Sequence, residues 1–236
     1  MIPHRPNKNV LIFDVETTGL IPSNTPIHIR NITKLPHIIQ LSFIVYDSAA
    51  KSIAKKYNSY VQIPNHVEIP QNVVELTKID KKKCEKRGKP ILNVLKDFYD
   101  AYMRCDTIVA HNLKFDRSMI LTELCRHGML LSRNMPYIFS IFNDKYQNKY
   151  KIKTYCTMQN SIDLCNIMVA AKTPGKPPYK KWPKLSELYI FLFINEELPD
   201  NLHNAFIDTL MCLRCYLKMA KDTEVIDFLE LCKELK

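Results

Sequence analysis

Two acidic residues near the N-terminus have the spacing of metal ligands on a strand. Asp14 and Glu16 are two residues apart at the end of the apolar, β-branched run NVLIFDV. Alternate side chains of a strand point to the same face, so both carboxylates would lie on one side of a sheet. A divalent cation with oxygen ligands would compensate their charge. The spacing predicts metal binding; the alternative is that Asp14 caps a turn while Glu16 is solvated.

Two acids further along the chain favour the metal site. Asp116 follows a short apolar run and would lie in the first turn of a helix, where the helix dipole favours a carboxylate. Taken alone it would be an ordinary helix N-terminal acid. Asp208 lies in the apolar sequence AFIDTLMCL, where an unpaired buried carboxylate would lose its charge. Asp116 and Asp208 strengthen the metal-binding interpretation of Asp14 and Glu16.

His203 stands five residues before Asp208, a spacing that departs from the helical period. The two residues therefore cannot share a face of one continuous helix, and the histidine must come from the loop or first turn. Because histidine titrates near neutral pH, His203 could act as a general base. The alternative is a surface histidine or a helix cap.

The elements that would position these residues form a mixed α/β pattern. Three early apolar runs with short connections favour an antiparallel meander, with a turn near residues 48–51. After them the apolar spacing becomes helical and is interrupted by one short strand. The predicted strands are 9–15, 38–47, 57–63 and 107–110, and the predicted helices are 91–104, 115–127, 184–193, 205–221 and 225–235.

Length and composition indicate one domain with a polyanionic partner. A chain of 236 residues with 46% hydrophobic residues is long enough for one core and short for two domains. The formal net charge of +10 favours nucleic acid, although basic proteins that never bind it also exist. Segments 21–37, 132–151 and 171–183 are expected to be loops or insertions within the single domain 1–236.

The cysteines and the hydropathy pattern point to a soluble intracellular protein. No stretch approaches the roughly 18 apolar residues of a membrane span, and the N-terminus lacks a signal-peptide core. The eight cysteines have irregular spacing and are expected to be reduced thiols. Cys212 and Cys215 form a CxxC within a helical segment, where helix packing is favoured over zinc or redox chemistry.

Three segments resemble the motifs of one enzyme family. FDVETTGL at residues 13–20, IVAHNLKFD at 108–116 and HNAFID at 203–208 are similar to the motifs of DnaQ-like DEDDh 3′→5′ exonucleases, in the ribonuclease H-like superfamily. The resemblance covers residues 10–219 apart from the insertions. It implies an antiparallel meander followed by parallel strands, flanked by helices. The tyrosine subtype would place tyrosine four residues before the last aspartate, where this chain has Asn204.

The resemblance also implies a full set of site residues. Two Mg²⁺ ions, with Mn²⁺ as substitute, would be held by the acids, and His203 would be the general base that helps to release nucleoside 5′-monophosphates. The terminal nucleotide would contact backbone amides and the Leu20 side chain, while Asn112 would support the sugar or the scissile geometry. The implied metal ligands are Asp14, Glu16, Asp116 and Asp208, and the implied nucleotide contacts are Thr17, Thr18, Leu20 and Asn112.

Two basic segments favour contact with single-stranded nucleic acid. Residues 78–89 and 172–184 concentrate lysine in loop-like sequence, and Tyr179 and Trp182 place flat side chains among the lysines of the second segment. Lysine with interleaved aromatic residues is typical of phosphate contact and base stacking. The alternative is that the lysines are solvated and that the two aromatics pack the loop to the body.

Substrate and partners stay open at this point. The expected substrate is nucleic acid with a free 3′ end, single-stranded or frayed, and DNA is preferred to RNA for proofreading, repair or degradation. An RNA-trimming exonuclease is the enzymatic alternative, and a non-catalytic nucleic-acid-binding or polymerase-associated module is the alternative of another class. The resemblance allows a homodimer and polymerase association. The lysine-rich composition and residues 203–219 also resemble homologues from large DNA viruses.

Overall fold

The computed structural model describes residues 9–199, 202–221, 223 and 228–233. Its centre is a five-stranded sheet in the order β3-β2-β1-β4-β5. β1 pairs antiparallel with β2 and parallel with β4, so the sheet is mixed. This confirms the predicted meander followed by parallel strands. The strands are β1 (Asn9–Thr17), β2 (Ile38–Asp47), β3 (Ser52–Tyr60), β4 (Thr107–Ala110) and β5 (Lys153–Cys156), with a separate hairpin of β6 (Met168–Val169) and β7 (Tyr179–Lys180).

Helices cover both faces of the sheet, as expected for a sheet that is buried on both sides. Short 3₁₀ turns at Ile29–Lys34 and Pro136–Ser140 lie within the first two predicted insertions. The helices are α1 (Gln71–Thr77), α2 (Lys81–Arg87), α3 (Ile91–Tyr102), α4 (Leu113–Arg126), α5 (Gly128–Asn134), α6 (Asp144–Tyr150), α7 (Thr157–Asn160), α8 (Ile162–Cys165), α9 (Leu185–Leu192), α10 (Ala205–Lys221) and α11 (Phe228–Lys233).

The alternating side chains of β1 contribute to two separate cores. Leu11, Phe13 and Val15 pack with residues of α3 and α4 on one face. Val10 and Ile12 pack on the other face, beneath α10 and α9. Because Asp14 and Glu16 continue the series of Val10 and Ile12, the strand period directs both carboxylates to the face covered by α10.

α10 is buried along most of its length because it lies between the sheet and its neighbours α9 and α11. Cys212 and Cys215 are both buried free thiols in this helix. The Cys212 Sγ atom lies 3.7 Å from the Thr157 Oγ1 atom. The surroundings of the CxxC pair match the helix-packing interpretation.

The third strand begins and ends earlier than predicted. It spans Ser52–Tyr60 rather than 57–63, and it lies at the edge of the sheet. Lys55 and Lys56 stand in its middle, and the apolar alternation that predicts a strand is therefore weak there. Backbone pairing with β2, from Gln40 opposite Tyr60 to Asp47 opposite Ser52, determines the strand instead.

The basic segment 78–89 was expected to be loop-like, and this prediction is wrong. It contains α2, because the Asp80 side chain caps the helix by accepting a hydrogen bond of 2.7 Å from the Lys83 N–H. Lysine, glutamate and arginine are good helix formers, and Cys84 anchors the helix in a small apolar cluster. Gly88 ends it where a Cβ atom would lie 2.2 Å from the Cys84 carbonyl oxygen.

The insertions contain more regular structure than the sequence predicts. Segment 132–151 includes the end of α5, a 3₁₀ turn and α6. Segment 171–183 contributes β7, whose two residues pair with β6 and are exposed. The strand β5 was not predicted because its sequence KTYC lacks the apolar run that identifies the equally short β4. The helix predicted at 225–235 lies partly outside the described residues.

In the part of the chain that the structure describes, every helix is too short or too polar to cross a membrane.

Candidate active site

Three carboxylates meet near the C-terminal end of β1. Ligand oxygens of Asp14, Glu16 and Asp208 lie within 4.8 Å of one another. β1 presents the first two on its α10 face, and Asp208 lies in the first turn of α10. Acids separated by almost two hundred residues therefore form one oxygen-lined group, with the donor type that hard divalent cations prefer.

Asp116, in the first turn of α4, contacts the backbone of the same strand. Its side chain is buried, with 2% of its surface exposed, and its carboxylate accepts a hydrogen bond from the Val15 N–H. Asn112 adopts a left-handed conformation, with φ of 68°, where the chain turns from β4 into α4. Asp116 raises the pKa of Asp14 by charge repulsion, although it stands outside the group of three close carboxylates.

Burial raises the pKa of every acid in the site, and repulsion between carboxylates adds to this effect for Asp14, Glu16 and Asp116. The pKa of Asp14 and that of Asp116 rise well above the usual range, first because of burial and then because of neighbouring carboxylates. The same causes raise the pKa of Glu16 to about 8, and burial raises that of Asp208 to about 7. Such a cluster holds its full negative charge at neutral pH only with a cation, so its electrostatics fit divalent metal ions.

His203 lies at the start of α10, before the first helical residue. Its φ of 64° is left-handed, its side chain is exposed, and its N–H donates a hydrogen bond to the Asp208 carboxylate. Partial burial and the charge of Lys184 lower the pKa of the imidazole. His203 is therefore neutral at neutral pH and able to accept a proton. Its place before the helix agrees with the sequence spacing.

Thr17, Thr18 and Leu20 surround the turn that leaves β1. The Thr17 Oγ1 atom donates to the Gly19 carbonyl at 2.7 Å. The Thr18 N–H donates to the His37 carbonyl at 2.9 Å, and its Oγ1 atom accepts from the His37 N–H at 3.0 Å. A nucleotide that binds the Thr18 N–H would compete with the His37 carbonyl for that donor. Leu20 is 81% exposed and lines, with Thr18, a cavity of about 690 Å³.

Asn112 lines a different cavity. This second cavity, of about 660 Å³, lies between residues 21–27 of the first insertion and the start of α4, where Lys114 and Phe115 also line it. Both cavities have the size of small-molecule sites. Thr18 and Leu20 on the one hand and Asn112 on the other, all implied nucleotide contacts, therefore line two different cavities.

His111 connects the Lys-rich segment to the second motif. Its ring nitrogens lie 2.9 Å from the Thr157 Oγ1 atom and 3.1 Å from the Pro183 carbonyl oxygen. This contact holds the end of segment 171–183 against the end of β4. Trp182 is 58% exposed in that segment, and Lys184 acts electrostatically on His203. Tyr179, half-exposed in β7, precedes Trp182 in the same segment.

The sequence interpretation missed Gln40, which is fully buried in β2. Its amide contacts Asn204 and Ala205, at the beginning of α10. The available signal was one amide within the apolar run IIQLSF. A buried amide requires hydrogen-bond partners, but the sequence could not identify partners from distant elements.

A family profile and a sequence relative were found by comparison with known proteins. The profile of the exonuclease family matches residues 11–168. DNA polymerase III subunit epsilon of Buchnera aphidicola is 26% identical over 215 residues, which cover 90% of this chain and 73% of that protein.

Solved structures share the fold at low sequence identity. Escherichia coli exonuclease I in complex with a dA16 oligonucleotide superposes with a TM-score of 0.57 at 15% identity, over 97% of this chain and 43% of the other. The chain thus spans less than half of that enzyme. The nuclease domain of 3′hExo, described as a DEDDh family member bound to rAMP, gives a TM-score of 0.54 at 14% identity and covers 92% and 94% of the two chains.

Proposed function

The chain belongs to the exonuclease family, and from this premise we propose that it is a metal-dependent 3′→5′ exonuclease that removes nucleotides from DNA ends. The observation that carries the proposal is the group of Asp14, Glu16 and Asp208 oxygens within 4.8 Å, with His203 bonded through its backbone to Asp208. An acidic oxygen site beside a neutral histidine provides metal ligands and a general base, which phosphodiester hydrolysis requires.

Asp14, Glu16 and Asp208 would hold the metal, with Asp116, whose carboxylate accepts from the Val15 N–H, as a further ligand. When bound, divalent cations would neutralise the phosphate oxygens and lower the pKa of a bound water. Mg²⁺ is the proposed ion and Mn²⁺ its substitute, because all four side chains offer hard oxygen atoms. The close approach of these acids is costly without a cation, and this supports a metal-binding role over a structural one.

His203 would accept the proton of the attacking water through its imidazole ring. The lowered pKa keeps the ring neutral, and the exposed side chain lies next to solvent where a substrate can approach. The hydrogen bond from its N–H to Asp208 fixes the backbone of the base relative to a proposed metal ligand.

The substrate contacts follow from the two cavities and the Lys-rich segment. We assign the terminal nucleotide to the cavity beside Thr18 and Leu20, with Thr17 shaping the turn rather than reaching the substrate. Asn112 would support the sugar from the second cavity. Trp182 and Tyr179 would stack on bases of a single strand, since both are half-exposed or more and Trp182 adjoins the His111-anchored residue Pro183.

DNA is the proposed substrate class, and RNA is the second candidate. The similar epsilon subunit belongs by name to a DNA polymerase, and the exonuclease I structure contains a DNA oligonucleotide. RNA is kept because the similar 3′hExo domain was solved with rAMP. The epsilon relationship also makes association with a DNA polymerase the partner interaction to test first.

The test is digestion of one oligonucleotide sequence as single-stranded DNA, duplex DNA with a mismatched 3′ end, and RNA. A 5′ label should produce a ladder that shortens stepwise with Mg²⁺ or Mn²⁺ and stays intact with EDTA, and a 3′ block should prevent shortening. The matched control is Asp14→Asn. Digestion of the 3′-blocked strand from its other end would refute the polarity, and wild-type protein without activity on any substrate would favour the non-catalytic module.

A further inference from the structure

We infer that Gln40 is a positioning residue that fixes the start of α10, and with it His203 and Asp208, against the acids of β1. Gln40 is the third residue of β2 and lies opposite Glu16 in the antiparallel pairing. Its side chain is fully buried on the α10 side of the sheet. The inference concerns how the proposed catalytic groups are held, and its catalytic consequence rests on the proposed function.

The amide of Gln40 joins β3, β2 and the beginning of α10. Its Nε2 atom donates to the Asn58 Oδ1 atom at 2.8 Å and to the Asn204 Oδ1 atom at 3.3 Å. Its Oε1 atom accepts from the Ala205 N–H at 3.3 Å. One side chain therefore binds the first helical residue and the residue before it.

Asn204 transmits this contact to the proposed catalytic residues. Its Oδ1 atom also accepts from the Phe206 N–H at 3.0 Å, which makes Asn204 the side-chain cap of α10. Its carbonyl accepts from the Asp208 N–H at 3.0 Å. His203 directly precedes this cap. A shift of Asn204 would therefore move the proposed general base and the proposed metal ligand together.

Only a side chain that both donates and accepts can make this set of contacts. The first N–H groups of a helix lack partners within the helix, and Gln40 satisfies one of them from the sheet. A methionine of similar length would fill the space. It would neither accept from the Ala205 N–H nor donate to the Oδ1 atoms of Asn58 and Asn204. The sheet would then still pack against α10, but the N-terminal turn of α10 would no longer be held in one position.

The chain offers a matched control in the same network. The Ser42 Oγ atom donates to the Asn58 Oδ1 atom at 2.7 Å, and Ser42 lies two residues from Gln40 on the same face. Ser42→Ala removes a hydrogen bond of this network and leaves the described bonds to Asn204 and Ala205 in place. It therefore separates a general loss of polar contacts from a loss of the Gln40 hydrogen bonds to Asn204 and Ala205.

The experiment compares Gln40→Met, Asn204→Ala and Ser42→Ala with the wild type by amide hydrogen exchange, by the Mn²⁺-induced shift of Tm and by kcat and KM on single-stranded DNA. For Gln40→Met we expect faster exchange at Ala205 and Phe206 with protection retained at Leu213, and a smaller Mn²⁺ shift. We also expect kcat to be about a hundredfold lower with KM within about threefold, because a small misplacement of reacting groups acts on kcat.

Gln40→Met with wild-type exchange at Ala205 and Phe206, or with an unchanged kcat, would overturn the inference. The same loss in Ser42→Ala would also overturn it, because the effect would then belong to the network as a whole. If Gln40→Met fails to fold, Asn204→Ala decides by the same exchange and kcat criteria. A wild-type protein without nuclease activity would refute the proposed function instead, while the exchange and Mn²⁺ measurements would still test the positioning.

Discussion

The backbone N–H of His203 donates a hydrogen bond to the carboxylate of Asp208. The proposed general base and a proposed metal ligand are therefore parts of one capped helix terminus rather than two independent side chains. This arrangement explains why a five-residue spacing, which departs from the helical period, still places both residues at one site. Changes to either residue should be distinguishable by their effects on metal binding.

Replacement of Asp208 by asparagine should abolish activity and relieve charge repulsion in the metal-free protein. We expect a rate at least about a thousandfold lower, because a metal site contributes several kcal/mol to transition-state stabilisation. In EDTA the Tm should rise, since one of three close carboxylates loses its charge. Differential scanning fluorimetry with EDTA, Mg²⁺ or Mn²⁺ checks both effects. A wild-type Tm that is the same in EDTA and in excess Mn²⁺ would contradict metal binding.

Replacement of His203 by glutamine should impair proton transfer while metal binding is retained. Loss of a general base lowers kcat by about 10²- to 10⁴-fold. The Mn²⁺-induced shift of Tm should stay that of the wild type, because the backbone N–H that binds Asp208 is still present. Single-turnover digestion of end-labelled DNA measures the chemical step. An unchanged single-turnover rate would remove His203 from the mechanism.

Replacement of Trp182 by alanine should weaken substrate binding without slowing the chemical step. Stacking of one base on an aromatic ring contributes about 1–3 kcal/mol, so KM for single-stranded DNA should rise about tenfold at unchanged kcat. Tyr137→Ala is the control, since Tyr137 is also exposed but packs against Tyr99, in the apolar core on the other side of β1. Equal effects of the two variants would refute a specific stacking role.

Acidification should destabilise the protein through His111. Burial lowers the pKa of His111 to about 4, whereas the unfolded chain binds this proton near pH 6.5. Between these values the unfolded state holds more protons, so the free energy of unfolding falls as pH is lowered from 6.5 towards 4, by up to about 3 kcal/mol. Urea unfolding at several pH values should show a shallower decline for His111→Gln than for the wild type. The exposed His28→Gln serves as control, and identical slopes for all three proteins would reject the prediction.

Much of the fold was predictable because its signals are local. The strand Ile38–Asp47 and the helix Ala205–Lys221 were predicted at their observed bounds, since continuous apolar burial and helical spacing are visible in a short window. The edge strand and α2 were not. Lysines obscured the apolar period of the edge strand. The buried position of Cys84 in α2 depends on packing against other parts of the molecule, which the local sequence does not show.

The sequence by itself determined the exonuclease family, the mixed sheet and the shared face of Asp14 and Glu16, because motif order and strand period are properties of short segments. Only the tertiary structure decided that Asp208 joins those two acids within 4.8 Å, while Asp116 stands outside this close group and accepts a hydrogen bond from the Val15 N–H. It alone revealed that Gln40 binds the start of α10. These relationships depend on how a sheet and a distant helix pack, and no local period encodes the partner of a buried polar group.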